Sequence, residues 1–405
     1  MSGFWTLVGF EYKKILGKPR VQLTLLLAVL ITAFSVGATL LGSYYLEGRP
    51  YETHYEAMVK DRDYARALSG RPLDKELIMA TVRAYGQIPQ ADTYQATEEY
   101  QTIARPYSSL YGIVRSVFNT GSKRFNMEDF QALTPAQAEG FYTTRQERLE
   151  QMIRQTQMGE AAKTQVLNLS EQVKTPLTFA YTESYTRFFV LINTLGLTAG
   201  FVTAICLAPL FAGEYTSGAA QLILSSKRGK NKLIAAKLLT GFSLAALISL
   251  VLSALTFLLS RLIFGGEGAG APLQLYLIFS PYPLTMGHTA LLLALAAFLA
   301  CLMTAALTMV LSARLHSPFA VIILISALLI APMLGSVSEH NLLLYRLYHL
   351  FPTQMTALWS VMDPIQYELP GLVVKPYVFL PLFAAAVSAL LTPLAYRSFK
   401  HHQIG

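Results

Sequence analysis

The sequence predicts an all-α integral membrane protein with six transmembrane helices and a mostly helical extracellular insert. Three observations carry this expectation. Of 405 residues, 53% are hydrophobic and 14% charged, a balance typical of membrane proteins rather than soluble domains. Six apolar runs approach or reach the roughly 20 residues that cross a bilayer: 21–43, 188–211, 238–264, 289–311, 319–335 and 377–396. Lys and Arg collect in the connections that fall on one side when six spans alternate, which marks that side as cytoplasmic.

The first segment, 1–20, places Phe4, Trp5, Val8, Tyr12, Ile15 and Leu16 on one helical face, with Lys13 and Lys14 elsewhere. This reads as a cytoplasmic interfacial helix with an aromatic anchor and snorkelling lysines. Lys18 and Arg20 complete the basic flank of span one, 21–43. Val36-Gly-Ala38 would suit signal cleavage. Apolar character continues through Leu40-Leu41, too long for that reading, so a retained span is expected.

The insert 44–187 holds 17 Lys/Arg and 18 Asp/Glu. Helices are expected over 51–68, over 71–85 and over 134–158. The last opens on a Thr134/Gln137 capping box with Pro135 at its first position. Phe141, Leu149, Met152 and Ile153 are its candidate inward residues, and Gly159 its end. Cys206 and Cys301 both lie in spans, so no disulfide framework is expected. Asn168-Leu-Ser170 is a formal sequon and weak evidence.

Span two, 188–211, carries Gly196-Leu-Thr-Ala-Gly200, the small-residue spacing that lets helices approach closely. It serves either packing within one subunit or an interface between two. The segment 212–237 follows, with five Lys/Arg and the single acid Glu214. It reads as an ordered basic helix facing the cytosol, with Glu214 in its first turn. Span three is 238–264, with Arg261 near its outer end. The outer loop 265–288 starts Gly265-Gly-Glu-Gly-Ala-Gly270. No strand precedes it and no Lys-Ser/Thr follows, so it is a turn rather than a phosphate cradle.

Span four is 289–311, followed by Arg314 and His316. Span five, 319–335, is short and contains Pro332. The outer loop 336–376 holds two apolar stretches at helical spacing, 342–350 and 355–362, read as short helices in or dipping into the outer leaflet. Glu339, His340 and His349 lie there without further metal ligands. Span six, 377–396, contains Pro381 and Pro393 and should kink. A basic cytoplasmic tail, 397–405, ends the chain.

The insert is nearly neutral, and the remainder holds 15 Lys/Arg against 6 Asp/Glu. The net charge of +8 therefore belongs to the cytoplasmic rim. Anionic lipid and a partner's acidic surface are its targets. Nucleic acid is not expected, because no basic domain stands free of the membrane. Gly-x-x-x-x-Gly-Lys-Ser/Thr, His-Glu-x-x-His and Gly-x-Ser-x-Gly are all missing, so no nucleotide, metal or catalytic site is expected. Few ionisable residues fall inside spans, which argues against an ion-coupled carrier.

The pattern Phe211-x-x-Glu214-x-x-x-Gly218, then Leu222-x-Leu224-Ser-Ser-Lys-Arg228 and Leu233-x-x-x-Lys237, resembles the ABC-2-type permeases. The resemblance covers roughly 1–46 and 185–400. It departs from the family at Ala219, where Thr is frequent, and lacks a Pro near Ser225-Ser226. The large segment between spans one and two resembles one branch of the family.

The resemblance implies that 212–237 is a coupling helix and loop that fits a groove on a separate ATPase. Glu214, Tyr215, Gly218, Lys227, Arg228, Lys232 and Lys237 would form that contact. ATP and Mg would sit on the partner, and a second permease half, identical or not, would complete the path. The cargo expected is amphipathic or apolar: a peptide, antibiotic or lipid-like molecule. Sodium or small-cation efflux is the alternative within transport. A membrane-anchored sensor or assembly protein is the alternative outside it, and an intramembrane enzyme lacks any catalytic constellation.

Overall fold

A computed structural model describes residues 2–89, 93–120, 124–226 and 229–402. The chain is an all-α membrane protein with two small β-hairpins. Helix α1 (Ser2–Leu16) leads through a tight turn into α2 (Pro19–Gly37). The insert comprises the hairpin β1 (Ser43–Leu46) and β2 (Arg49–Thr53), then α3 (His54–Leu68), α4 (Lys75–Tyr85), α5 (Ser108–Phe118), α6 (Met127–Gln131), α7 (Pro135–Glu139), α8 (Phe141–Gln155) and α9 (Glu160–Glu171). The membrane part resumes with α10 (Glu183–Leu207), α11 (Pro209–Thr216), α12 (Ala219–Ser225), α13 (Ile234–Phe264), α14 (Met286–Arg314) and α15 (Pro318–Ile330). Short helices α16 (Leu342–Tyr348) and α17 (Leu358–Val361), the hairpin β3 (Tyr367–Leu369) and β4 (Leu372–Val374), and α18 (Pro376–Lys400) complete it.

Five described helical stretches are long and apolar enough to cross a membrane: Pro19–Leu40, Glu183–Thr216, Asn231–Phe264, Met286–Arg314 and Pro376–Lys400. Their outward faces are apolar. On α2, Leu23, Leu26, Leu27, Leu30 and Phe34 are exposed while Val21, Ala28, Thr32 and Val36 pack inward. Such an exposed apolar face suits the interior of a bilayer. Helix α14 runs through the middle, packed by α10, α13 and α18. Its buried Ala296, Ala297, Ala300, Ala305 and Ala306 allow that close approach.

The apolar helix in the expected fifth span, 319–335, runs Pro318–Met333, shorter than the other five. Its last turn tightens at Ala331–Met333, where Pro332 cannot continue the ladder. The carbonyls freed at that end are taken up by the 336–376 segment. Thr353 donates to Leu329 O at 3.0 Å, and Tyr348 donates to Pro332 O at 2.5 Å and to Gly335 O at 2.9 Å.

Other boundaries also move. Helix α2 stops at Gly37 and a short 3-10 turn ends at Leu40, so Ser43 belongs to β1 and not to span one. Glu47 and Gly48 both take positive φ, the tight reversal that hairpin strands require. Helix α10 begins at Glu183, inside the expected insert, and Pro209 restarts the chain as α11. Span four lengthens to 286–314, and α18 runs from 376 to 400 with Pro381 and Pro393 inside it.

The insert has its own core around Tyr85, stacked on Tyr111 at 4.4 Å and edge-on to Phe130. Asp74 caps α4, and the Thr134/Gln137 box caps α7. The single helix expected over 134–158 is two, broken at Gly140, and Gly159 begins α9 instead of ending α8. Phe141, Leu149 and Ile153 are buried, but Met152 is 46% exposed, because α8 restarts at Phe141 with a narrower inward stripe. Arg145 docks the insert on the 265–288 loop. Its buried guanidinium donates to Ile278 O at 2.6 Å and Ser280 O at 3.1 Å, and burial lowers its pKa.

Candidate functional site

At the bundle end away from the insert, α10 gives way to a short helix pair. Pro209 has no amide and breaks the ladder after Leu207. Ser312 on α14 repairs the break. Its hydroxyl donates to Ala208 O at 2.7 Å and accepts from the Phe211 and Ala212 amides at 3.0 Å each. Helix α11 is thereby fixed to α14. Tyr215 adds a second tie: its hydroxyl donates to Ala313 O at 2.8 Å, and its ring lies 4.3 Å from His402 and 5.0 Å from His316.

Glu214 is not at the start of an exposed helix. It lies on α11, one turn before Gly218, and is 1% exposed. Lys14 of α1 and Lys237 of α13 both donate to its Oε1, the latter at 2.5 Å. Lys237 also donates to Glu11 Oε2 at 2.9 Å and has no exposed surface. Two acids and two lysines thus form a neutral cluster joining three helices. The arrangement suits the helix dipoles poorly. Lys237 sits in the first turn of α13, near its positive end, and Glu214 near the negative end of α11. Mutual pairing compensates, and each buried charge depends on the others. Glu214 and Lys237 are corrected accordingly, from solvent-facing contacts to an internal ion cluster.

The outward surface lies beyond them. Gly218 takes φ +71°, the left-handed conformation that favours glycine, and turns the chain from α11 into α12. On α12, Ala220 and Leu224 pack inward. Leu222 is 76% exposed, with Gln221 and Ser225 exposed beside it. Helix α12 thus buries two residues against the bundle and turns Leu222 and its polar neighbours outward. Lys232 is exposed on the return to α13. Lys227 and Arg228 lie outside the described residues.

On α1, Trp5 is 61% exposed and its ring is edge-on to half-buried Phe4 at 5.7 Å. Lys13 is exposed, whereas Lys14 reaches inward to Glu214. Tyr12 donates to Ser243 on α13 at 2.6 Å. Sequence reasoning missed Glu11. A signal was present: it is the only acid in the first 46 residues, and it shares a face with Val8 and Ile15. An acid on a buried stripe needs a partner.

Gly196 and Gly200 face the same chain. A Cβ at Gly196 would lie 2.5 Å from the Thr356 side chain, and one at Gly200 3.0 Å from Leu329. The close approach thus seats α10 against α15 and the 354–356 turn. Of the two expected roles, these contacts are those of packing within one subunit.

A sequence model of the family described as ABC-2 family transporter protein matches residues 22–364, from the start of α2 past α17. No curated protein and no solved structure matches the chain. The matched range contains α11, α12 and the turn between them. Membership implies a non-catalytic membrane subunit that associates with an ABC ATPase. With five apolar helices of membrane-crossing length and a family match over most of its residues, the chain belongs to the ABC-2 family of transporter proteins as a multi-pass permease subunit.

Proposed function

We propose that this chain is the permease half of an ATP-driven exporter that moves an amphipathic or apolar molecule out across the cell membrane. The observation that carries the reading is α12. It projects Leu222 past the bundle end while α11 ties it to α1, α13 and α14 through Glu214 and Ser312. A partner that pushes on α12 moves three helices together. The partner is an ATPase carrying ATP and Mg, and a second permease half closes the path. The basic rim, with both termini, faces the cytoplasm over anionic lipid, and the insert faces outward.

Cation efflux is the weaker reading. Helices α2, α13, α14, α15 and α18 contain no Asp or Glu, and a desolvated cation needs such ligands along its path. The polar groups buried between α10 and α14 are small, such as Thr203 beside Cys301 at 3.3 Å. Such surroundings suit an apolar or amphipathic passenger.

Leu222→Asp tests the proposal. Affinity purification of the wild-type chain from native membranes should recover an ATPase, and that ATPase should be stimulated by the chain. Leu222→Asp should abolish recovery while the variant remains folded and inserted. Repeated isolation of the wild-type chain alone, with no ATPase stimulated by it, overturns the exporter reading.

A further inference from the structure

A cavity of about 790 Å³ lies where α3 and α5 of the insert meet the ends of α2, α10 and α13. Its size matches sites that take small molecules. Part of its wall is apolar, with Leu40, Ile113, Phe179, Phe264 and Leu275. The polar part is unbalanced in a specific way. Its carboxylates are engaged: Asp61 accepts from the buried Arg105 Nε at 2.7 Å, and Glu183 accepts from Arg187 at 3.4 Å. Two donors in the wall are not. Tyr181 Oη and Arg187 Nε are both buried without a hydrogen-bond partner. The Arg187 guanidinium also lies 4.9 Å from the centroid of the Phe264 ring, so its position is held by stacking.

Buried donors without acceptors are rare in folded proteins and call for an explanation. The wall carboxylates are paired with other groups and meet neither of these two donor atoms, so an acceptor from outside would satisfy them. We propose that this cavity binds an amphiphile with an anionic, acceptor-rich head. The head lies on Arg187 and Tyr181, and the apolar part runs along Phe264 and Leu40 toward the membrane end of α2. The guanidinium is suited to a phosphate, sulfonate or carboxylate head. The site lies at the junction of insert and spans, where a molecule leaving the bundle or the adjacent leaflet would arrive. This narrows the substrate class of the exporter reading and rests on it for the direction of transport.

The test is equilibrium binding to the purified chain in neutral detergent, with no ATPase present. Two fluorescent probes of equal acyl length are compared: a labelled lysophosphatidylglycerol and a labelled monoacylglycerol. The anionic probe should bind at least about tenfold more tightly, and Arg187→Gln should remove that preference. Tyr181→Phe should weaken the anionic probe by about fivefold. Ser109→Trp, at an exposed position in the cavity wall, should block both probes without touching the core. Diacyl phosphatidylglycerol as competitor separates the two sources of this chemistry: displacement assigns the site to membrane lipid, and persistence of the probe assigns it to a single-tailed cargo.

Equal binding of both probes, or anionic binding unchanged by Arg187→Gln and by Ser109→Trp, overturns the proposal. Ser109→Trp keeps the test decisive if Arg187→Gln fails to fold. Because no ATPase takes part, failure here leaves the pairing with an ATPase untouched, and failure to recover an ATPase leaves this site standing.

Discussion

Lys237 on α13 donates to Glu11 on α1 at 2.9 Å, across 226 positions of sequence and with no exposed surface on the lysine. The contact fastens the N-terminal helix to the bundle beside the element that presents α12. Removing one partner of a buried pair strands a desolvated charge, which costs far more than the pair contributes.

Lys237→Met is therefore expected to lower stability by about 3–5 kcal/mol, read by thermal or denaturant unfolding in detergent. Glu11→Gln should cost less, because Glu214 still neutralises the lysine. A double-mutant cycle between the two positions should show a coupling of roughly 0.5–3 kcal/mol. Strict additivity would mean that the contact carries no energy.

Gly196→Ala and Gly200→Ala should differ. The added methyl at 196 meets Thr356, whose hydroxyl is itself bonded to Thr353 O at 2.8 Å and cannot yield freely. A cost of roughly 1–3 kcal/mol follows. At 200 the neighbour is the flexible end of Leu329, and alanine's helix preference of about 1 kcal/mol offsets the crowding. Oligomeric state by light scattering should be unchanged in both. A monomerised Gly200→Ala would return these glycines to an intersubunit role.

Asp363 supplies a pH dependence. It is buried between α17 and β3, accepting from Tyr345 Oη at 2.5 Å and the Ile365 amide at 2.9 Å. Burial raises its pKa to about 6, against those two hydrogen bonds. The folded chain thus retains a proton that the unfolded chain has released. The stability from this group is fully present below about pH 4 and is lost as pH rises to about 6. Asp363→Asn removes the ionisation, so its melting temperature relative to wild type should rise between about pH 4 and pH 6 and level off above. A difference that is flat with pH would refute the buried-acid account.

Membrane-impermeant thiol labelling of intact cells checks the proposed orientation. Cys206 and Cys301 are buried, so the wild-type chain should give little background. Lys174→Cys, exposed on the insert, should label, and Ser225→Cys, exposed on α12, should not. The reverse pattern would invert the protein in the membrane.

Much of this molecule was readable along the chain, because the physics concerned was local. Apolar runs marked the membrane helices, since a span is decided by the solvent it must face. The Thr134/Gln137 pair announced a helix start through contacts three residues apart. The resemblance around 211–237 pointed to the segment that forms α11 and α12. What stayed hidden depended on distant partners. Glu214 looked like an exposed helix start until α1 and α13 closed over it with Lys14 and Lys237. Met152 looked inward until the break at Gly140 rotated α8. Span five read as short from its sequence, but only the fold shows Tyr348 returning to the Pro332 carbonyl at its end. The cavity exists because α3, α5 and three span ends converge there. Burial and charge pairing are properties of what surrounds a residue, and no periodicity within one segment specifies which segment will cover it.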